Sequence, residues 1–211
     1  MPDAIFDDPR LAVLYDPLEP DRPDLDAYVA MADDFGARTV LDVGCGTGTF
    51  ACQLADRGIE VVAVDPASAS LDVARSKPGA DRVRWIQGDA TALPPLDVDL
   101  ATMTGNVAQV FLTDESWMAT LAGIRRSLRP SGHLVFETRD PARRGWERWN
   151  RELEWSCDEV DGVGFVENWV DLVDVSDGFV TFRWTFRFEA TGDVITSDST
   201  LRFRERDDVE Q

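Results

Sequence analysis

The chain has 211 residues, 44% of them hydrophobic, which is enough for one sizeable α/β domain with a small appendage. Its 40 acidic and 21 basic residues give a formal net charge of −19 at pH 7. That charge repels phosphate backbones, so we expect no nucleic-acid substrate. No apolar run approaches the ~18 residues that a membrane span needs, and the acidic start has no signal-peptide core, so we expect a cytoplasmic protein without a membrane partner.

The cysteines also limit the class of protein. Cys45, Cys52 and Cys157 form neither a Cys-x-x-Cys pair nor an even framework. This pattern suits a reducing compartment and argues against a structural metal, so we expect no bound metal ion.

The N-terminal segment is rich in proline, with prolines at positions 2, 9, 17, 20 and 23, which prevent a long helix. The apolar residues among them are too many for a free tail, so we expect the segment to pack on the domain, with a short helix near residues 10–15. Apolar residues at helical spacing then predict a helix over residues 24–35. The first predicted region therefore covers residues 1–36.

Residues 39–50 carry the most informative pattern of the chain. A β-branched, apolar run over residues 39–43 predicts a buried strand, three glycines follow it, and apolar residues at helical spacing come next. Glycines let the backbone approach a ligand closely, and the N-terminus of the helix behind them presents unpaired N–H groups. The spacing is Gly-x-Gly-x-Gly, which differs from the Gly-x-Gly-x-x-Gly of dinucleotide sites.

The string Leu-Asp-Val-Gly-Cys-Gly-Thr-Gly at residues 41–48 closely resembles the first motif of class I S-adenosylmethionine-dependent methyltransferases. The resemblance implies a Rossmann-like, doubly wound and mostly parallel α/β sheet over residues 37–140. It also implies S-adenosylmethionine as cofactor and S-adenosylhomocysteine as product. The cofactor contacts it assigns to this motif are Asp42, Gly44, Cys45 and Gly46.

In related methyltransferases an N-terminal segment covers the cofactor or substrate. The resemblance therefore makes Tyr15 and Arg22 candidate lid residues. The alternatives are that Tyr15 only packs on its neighbours and that Arg22 is a surface charge.

The second predicted strand, residues 60–65, ends in Asp65. Ligands of open parallel sheets bind beyond the carboxyl ends of the strands. A carboxylate there can accept hydrogen bonds from both ribose hydroxyls, and the resemblance assigns Asp65 this role, with a turn former as the alternative. The resemblance also makes Pro66 a predicted cofactor contact, although it departs from the small or polar residue usual in the family, and we expect it in the first turn of a helix over residues 67–76.

Alternation predicts a third strand over residues 82–87, followed by Gly-Asp-Ala. In the family this position reads adenine: the carboxylate accepts from the exocyclic amine, and the next N–H donates to the ring. The resemblance gives these roles to Asp89 and Ala90, and an ordinary turn is the alternative.

A fourth strand is predicted over residues 98–103, and the resemblance places Thr104 and Asn106 after it at the methyl group and substrate. Asn106 can donate and accept hydrogen bonds, although a turn former is the alternative. Gln109 lies one helical turn further and can face the same space. A helix over residues 114–128 and a fifth strand ending at residue 137 complete this part, and His133, the single histidine, is expected at the surface.

The stretch from residue 139 to residue 149 is basic and aromatic, and it leaves the carboxyl end of a parallel strand, where active sites lie. A helix whose tryptophans pack on the core is the alternative to a substrate-binding role. The candidates for contact with substrate are Arg139, Arg143, Arg144, Trp146 and Trp149.

From residue 151 onward the hydrophobic pattern has period two, which predicts an antiparallel sheet of about four strands. Asp177-Gly178 and Gly192-Asp193 are its predicted turns. The insert is similar to one in bacterial small-molecule methyltransferases, including aminosugar N-methyltransferases, where it closes the substrate pocket and often builds a dimer. We expect its apolar face to be covered by the first domain or by a second copy in a homodimer.

Residues 141–211 thus form the third predicted region, a substrate-side helix and the antiparallel sheet. In relatives the final helix leads to two more strands, which are missing here. We therefore expect either a fragment of a longer chain or an unusually placed sheet edge.

The sequence predicts an enzyme that transfers a methyl group from S-adenosylmethionine to nitrogen or oxygen of a small-molecule acceptor. No histidine and no Cys-His or Lys-Asp constellation follows the parallel strands, so alignment by Asn106 and Tyr15 is expected in place of a strong general base. The main alternative is a protein that binds S-adenosylmethionine as a sensor without turnover. A nicotinamide-dependent oxidoreductase is disfavoured by the glycine spacing.

Overall fold

The computed structural model describes residues 2–210. The chain forms two compact units. The first contains residues 6–108 and 113–137, and the second contains residues 3–5, residues 109–112 and the chain from Thr138 onward.

A five-stranded parallel sheet forms the centre of the first unit, with the strand order β3-β2-β1-β4-β5. Its strands are β1 (Thr39–Val43), β2 (Glu60–Asp65), β3 (Val83–Gln87), β4 (Val98–Met103) and β5 (Leu128–Phe136). The order reverses between β1 and β4, and ligands of open α/β sheets bind at such a reversal, beyond the carboxyl ends of the strands. The predicted Rossmann-like sheet is confirmed.

The described α-helices are one-turn segments near the N-terminus, longer helices before and between the parallel strands, and a short helix after the last strand. They are α1 (Ala4–Asp7), α2 (Pro9–Ala12), α3 (Tyr15–Leu18), α4 (Asp24–Asp34), α5 (Thr49–Asp56), α6 (Ser68–Ser76), α7 (Asp114–Ser127) and α8 (Arg206–Glu210). Within residues 2–210, none of them combines the length and apolar character that a bilayer span requires.

The short helix predicted near residues 10–15 corresponds to α2, and the segment also contains α1 and α3, which the sequence did not indicate. Pro9 occupies the first turn of α2, and Asp8 before it is extended, with φ −79° and ψ 120°. A residue before proline is driven out of the helical region, so Pro9 starts α2 rather than continuing α1.

Apolar side chains of α4, β1, β2, β4 and α5 pack together as the core of the first unit. Leu25, Val40, Leu54 and Leu100 are each at most 2% exposed. Burial of one such side chain contributes about 1.5–3 kcal/mol, so this core fixes the strand ends that carry the candidate site.

The second unit contains an antiparallel sheet with the order β6-β7-β8-β9, as predicted. Its strands are β6 (Ser156–Val160), β7 (Gly164–Ser176), β8 (Phe179–Phe188) and β9 (Val194–Arg202). Asp177 and Gly178 both have positive φ, 50° and 80°, which is the backbone of a two-residue hairpin turn.

The predicted substrate-side helix after residue 140 is wrong. The chain forms two 3₁₀ turns, Pro141–Arg143 and Gly145–Arg148, because Arg144 between them is left-handed with φ 47°. Trp146 packs edge-on against Phe203, with ring centroids 4.7 Å apart. The alternative that the tryptophans pack within the fold therefore describes Trp146 correctly.

Candidate functional site

The glycine turn joins β1 to α5 through three left-handed residues. Gly44, Gly46 and Gly48 have φ values of 73°, 52° and 77°. A Cβ on Gly44 would lie 2.5 Å from Val107, and one on Gly48 would overlap the Trp85 ring. A Cβ on Gly46 would meet no atom of the described chain within 4 Å. Gly44 and Gly48 are thus required for close packing, whereas Gly46 borders open space.

The turn is anchored to the end of β2. The backbone N–H groups of Gly44 and Cys45 donate to the Val64 carbonyl oxygen, at 2.8 and 3.2 Å. The Cys45 side chain is buried, and burial raises the pKa of its thiol well above the ordinary value. Cys45 therefore contributes backbone groups to the site and a neutral side chain.

Asp65 connects the glycine turn to the start of α6. Its Oδ2 accepts a hydrogen bond of 2.8 Å from the Gly46 N–H, and its Oδ1 accepts one of 2.8 Å from the Ala67 N–H. Burial raises the pKa of this carboxyl group. Sequence reasoning placed Asp65 at the site but did not detect that it holds the turn.

Pro66 is exposed, and the prediction that it lies in the first turn of α6 is wrong. The helix begins at Ser68, and Ala67 before it is extended, with φ −78° and ψ 110°. The Asp65 carboxylate binds the Ala67 N–H in this extended conformation, which moves the helix start beyond the proline.

Asp42 lies inside β1 and is fully buried, at 1% exposure. The strand register pairs it with Thr102 of β4, whose hydroxyl donates to Asp42 Oδ1 at 3.1 Å. Asp42 Oδ2 has no hydrogen-bond partner among residues 2–210. Burial, together with the charge of Asp65, raises the pKa of Asp42 to about 7. Buried polar atoms are nearly always hydrogen-bonded, so this oxygen is available as an acceptor for a polar group of a ligand.

Asp89 and Ala90 form the turn after β3. Asp89 Oδ1 accepts a hydrogen bond of 2.8 Å from the Thr91 N–H and so caps a short 3₁₀ turn over Ala90–Ala92. Asp89 is exposed and Ala90 is buried. Gly123 of α7 backs this turn, since a Cβ there would overlap the Ala90 carbonyl oxygen. Sequence reasoning missed Gly123, because a glycine inside a helix gives no local signal for a distant contact.

The turn after β4 contains two consecutive left-handed residues, Gly105 with φ 65° and Asn106 with φ 64°. Thr104 before them is buried. The Asn106 N–H donates to Glu137 Oε1 at 2.8 Å, and the Tyr28 hydroxyl donates to Glu137 Oε2 at 2.5 Å. Asn106 is therefore a turn residue as well as a candidate site residue, and Glu137 was not singled out from the sequence.

Asp16 ties the N-terminal segment to the glycine turn. Its Oδ1 accepts hydrogen bonds from the hydroxyls of Thr47 and Thr49, at 2.7 and 3.1 Å, and its Oδ2 lies 2.7 Å from Lys77 Nζ. Thr49 is the first residue of α5, so the carboxylate also meets the positive end of that helix.

The two predicted lid residues, Tyr15 and Arg22, belong to the same N-terminal segment as Asp16. Burial raises the pKa of the Tyr15 hydroxyl to about 12, so it stays protonated near neutral pH. Arg22 pairs with Asp24 through two hydrogen bonds, and its Nη2 lies 3.8 Å from the position of a Cβ on Gly105.

Gln109 belongs to the second unit and is fully buried. Its Oε1 accepts a hydrogen bond of 3.0 Å from Arg139, whose guanidinium lies 5.5 Å from the Trp149 ring centroid. Gln109 Nε2 has no partner among the described residues. Of the other basic candidates, Arg143 and Arg144 form exposed ion pairs within their own turns.

Comparisons with known proteins agree with this architecture. Residues 40–132 match a family model described as a methyltransferase domain. The chain is 38% identical over 117 residues to the cypemycin N-terminal methyltransferase of a Streptomyces species, a match that covers 55% of this chain and 48% of that protein. The chain spans about half the length of the curated relatives it matches.

Solved structures share the fold. The CcbJ methyltransferase from Streptomyces caelestis is 22% identical, with a TM-score of 0.68 over 89% of this chain and 76% of that one. An S-adenosylmethionine-bound amino pentose methyltransferase from Micromonospora echinaspora is 23% identical, with a TM-score of 0.67 over 93% of this chain and 85% of that one. Residues 40–132 thus match a methyltransferase domain, and the chain shares its fold with these solved methyltransferase structures.

Proposed function

We propose that the chain transfers a methyl group from S-adenosylmethionine to nitrogen or oxygen of a small-molecule acceptor. The observation that carries the proposal is the left-handed glycine turn at the carboxyl end of β1. There Gly46 borders open space, and the buried Asp42 Oδ2 has no partner among residues 2–210. Together they leave room for a ligand and supply an acceptor for its polar groups.

The same turn suggests how the cofactor would be held. Under this proposal the backbone of Gly44, Cys45 and Gly46 contacts its amino acid part, and Asp65 accepts hydrogen bonds from the ribose hydroxyls through the lone pairs that its two amide partners leave free. Asp89 and the Ala90 N–H bind the adenine. The exposed carboxylate and the backing by α7 suit that role. In this proposal Thr104 and Asn106, which follow β4, lie next to the reactive methyl group.

The reaction requires the protein mainly to align the acceptor with the methyl group. S-adenosylmethionine supplies a methyl group on an electrophilic sulfonium, which a nucleophile attacks in line. Well-aligned reactants gain roughly 7–11 kcal/mol from positioning. The Tyr15 hydroxyl, with its raised pKa, and the Asn106 amide can orient an acceptor, but neither is a strong base at neutral pH. Such a site suits an amine that enters neutral or a hydroxyl that is already acidic.

Two names among the similar proteins narrow the first acceptors to try. One relative is an N-terminal methyltransferase for cypemycin, and one structural neighbour is an amino pentose methyltransferase. Both names suggest an amine as nucleophile. We therefore propose amines, either peptide N-termini or amino sugars, as the first acceptor class.

Three further expectations stay predictions. We predict a homodimer through the antiparallel sheet, which light scattering tests. We also predict no nucleic-acid partner, because the net charge is −19, and a gel-shift assay tests this. Gln109 stays a predicted cofactor contact. Its buried Nε2 has no partner among residues 2–210 and is available to a ligand, whereas its Oε1 already binds Arg139.

Two experiments test the proposed function. Titration calorimetry with S-adenosylhomocysteine, S-adenosylmethionine and NAD tests the cofactor, and we expect the first two to bind and NAD not to bind. Release of S-adenosylhomocysteine with a panel of amines and phenols then tests turnover. Binding without turnover on the whole panel would favour the sensor, and binding of NAD alone would overturn the assignment.

A further inference from the structure

The Glu137 carboxylate joins three parts of the first unit. Its Oε2 accepts a 2.5 Å hydrogen bond from the Tyr28 hydroxyl in α4, and its Oε1 accepts a 2.8 Å hydrogen bond from the Asn106 N–H after β4. Glu137 itself directly follows the last residue of β5. One half-buried side chain thus connects α4, the end of β5 and the turn that carries Asn106.

The Asn106 backbone needs such a partner. Gly105 and Asn106 are both left-handed, a conformation that glycine adopts freely and that costs free energy for any residue with a Cβ. Asparagine tolerates this conformation better than most residues. A hydrogen bond to a carboxylate is stronger than one between neutral groups, so the Glu137–Asn106 bond opposes relaxation of the turn.

Tyr28 fixes the other side of the carboxylate. Its ring is buried at 4% exposure and packs edge-on against Phe50 of α5, with centroids 5.8 Å apart. Burial and the hydrogen bond to Glu137 raise the pKa of the Tyr28 hydroxyl far above its ordinary value, so the hydroxyl keeps its proton and donates. Glu137 is therefore held in place by an element whose own position is set by the core.

We propose that Glu137 is a positioning residue for methyl transfer, because it holds Asn106 in the left-handed conformation that presents its side chain to the acceptor. This inference rests on the proposed function. Glu137 Oε1 accepts the Asn106 N–H and Oε2 accepts the Tyr28 hydroxyl, so we assign its effect to the position of Asn106.

A matched pair of substitutions separates the hydrogen bond from the charge. Glu137→Met has a similar reach but no acceptor, so it releases the Asn106 N–H. Glu137→Gln keeps an acceptor for Asn106 on Oε1, and its Nε2 donates to the Tyr28 oxygen. Asn106→Gly removes the side chain and keeps a backbone that favours positive φ. Thermal unfolding of each variant provides the control for folding.

The first readout needs no turnover. We expect hydrogen exchange of the Asn106 amide, followed by NMR, to be at least tenfold faster in Glu137→Met and within threefold of wild type in Glu137→Gln. S-adenosylhomocysteine affinity should change by less than threefold in both. Unchanged exchange in Glu137→Met would overturn the inference. If Glu137→Met does not fold, Tyr28→Phe takes its place, because it removes the second hydrogen bond to Glu137. Exchange of the Asn106 amide should then be at least twofold faster than in wild type, and unchanged exchange would overturn the inference.

The second readout is kcat with an amine acceptor that gives turnover. Glu137→Met should lower kcat at least tenfold with little change in the KM for S-adenosylmethionine, and Glu137→Gln should lower it at most threefold. In the Asn106→Gly background, Glu137→Met should cost less than twofold more. The inference would be overturned if the kcat losses of Glu137→Met and Asn106→Gly multiplied in the double variant. It would also be overturned if Glu137→Gln were as slow as Glu137→Met. Failure of wild type to bind S-adenosylhomocysteine would instead refute the proposed function and leave the exchange result standing.

Discussion

Asp65 Oδ2 accepts a hydrogen bond of 2.8 Å from the backbone N–H of Gly46, so the end of β2 holds the middle of the glycine turn. Gly46 is left-handed, and the bond fixes its amide toward the sheet. The residue predicted to bind the ribose is thus also a support for the turn that would bind the rest of the cofactor. Any substitution of Asp65 therefore affects two properties, the affinity for cofactor and the stability of the turn.

Asp65→Ala should weaken S-adenosylhomocysteine binding at least tenfold, which corresponds to about 1.4 kcal/mol. It should also lower the free energy of unfolding, because two backbone N–H groups lose their acceptor at a cost of about 1–3 kcal/mol each. Asp65→Asn keeps one acceptor and should be intermediate in both. Calorimetry and urea unfolding measure the two effects. An affinity change below twofold would mean that Asp65 is only a structural residue.

Gly46 and Gly48 should respond differently to the same added methyl group. Gly46→Ala places its Cβ in open space and costs only the left-handed backbone, roughly 1–2 kcal/mol, so it should impair cofactor binding more than folding. Gly48→Ala drives its Cβ into the Trp85 ring and should mainly lower the unfolding midpoint. Gly46→Val should abolish binding in a folded protein. Wild-type affinity in either Gly46 variant would contradict this assignment.

Asp42 should make stability depend on pH. Its folded pKa of about 7 lies above an unfolded value of about 3.9, so the folded state binds the proton more tightly between these values. The stabilisation is complete below pH 4 and is lost as the pH rises to 7. Asp42→Asn cannot ionise, so its free energy of unfolding lacks this pH-dependent contribution.

The prediction for Asp42 concerns a difference between two proteins. In urea unfolding without cofactor, the free energy of unfolding of wild type minus that of Asp42→Asn should fall by on the order of 2–4 kcal/mol between pH 5 and pH 8. The same difference at both pH values would show that Asp42 titrates as an ordinary carboxyl group.

Asp16 should control how fast the ligand leaves. Asp16→Ala removes its hydrogen bonds to the Thr47 and Thr49 hydroxyls and its ion pair with Lys77, so the N-terminal segment loses these bonds to the glycine turn and α5. We expect dissociation of S-adenosylhomocysteine, measured by stopped flow, to be about tenfold faster, a loss of about 1.4 kcal/mol. Asp72→Ala, which removes an exposed pair with Arg75, is the control and should leave the rate unchanged. Equal rates in all three proteins would exclude a lid held by Asp16.

The sequence was sufficient for elements whose signal is local. Alternating or continuous apolar runs predicted the parallel strands and the last three antiparallel strands, and Asp177-Gly178 predicted the hairpin turn. The sequence failed where a hydrogen bond to a side chain decides the local structure. The Asp65 carboxylate holds Ala67 extended and so keeps Pro66 out of the helix, and Glu137 reaches Asn106 across 31 positions. No periodicity or motif in the chain reports such contacts.

The central claim is methyl transfer from S-adenosylmethionine, and the most direct measurement uses cofactor with an isotopically labelled methyl group. The protein is incubated with this cofactor and a panel of peptide N-terminal amines, amino sugars and phenols, and each acceptor is analysed by mass spectrometry. We predict that the label appears on at least one acceptor together with an equal amount of S-adenosylhomocysteine, and that Gly46→Val gives neither. Tight binding of S-adenosylmethionine with no label on any acceptor would contradict the account and favour a sensor.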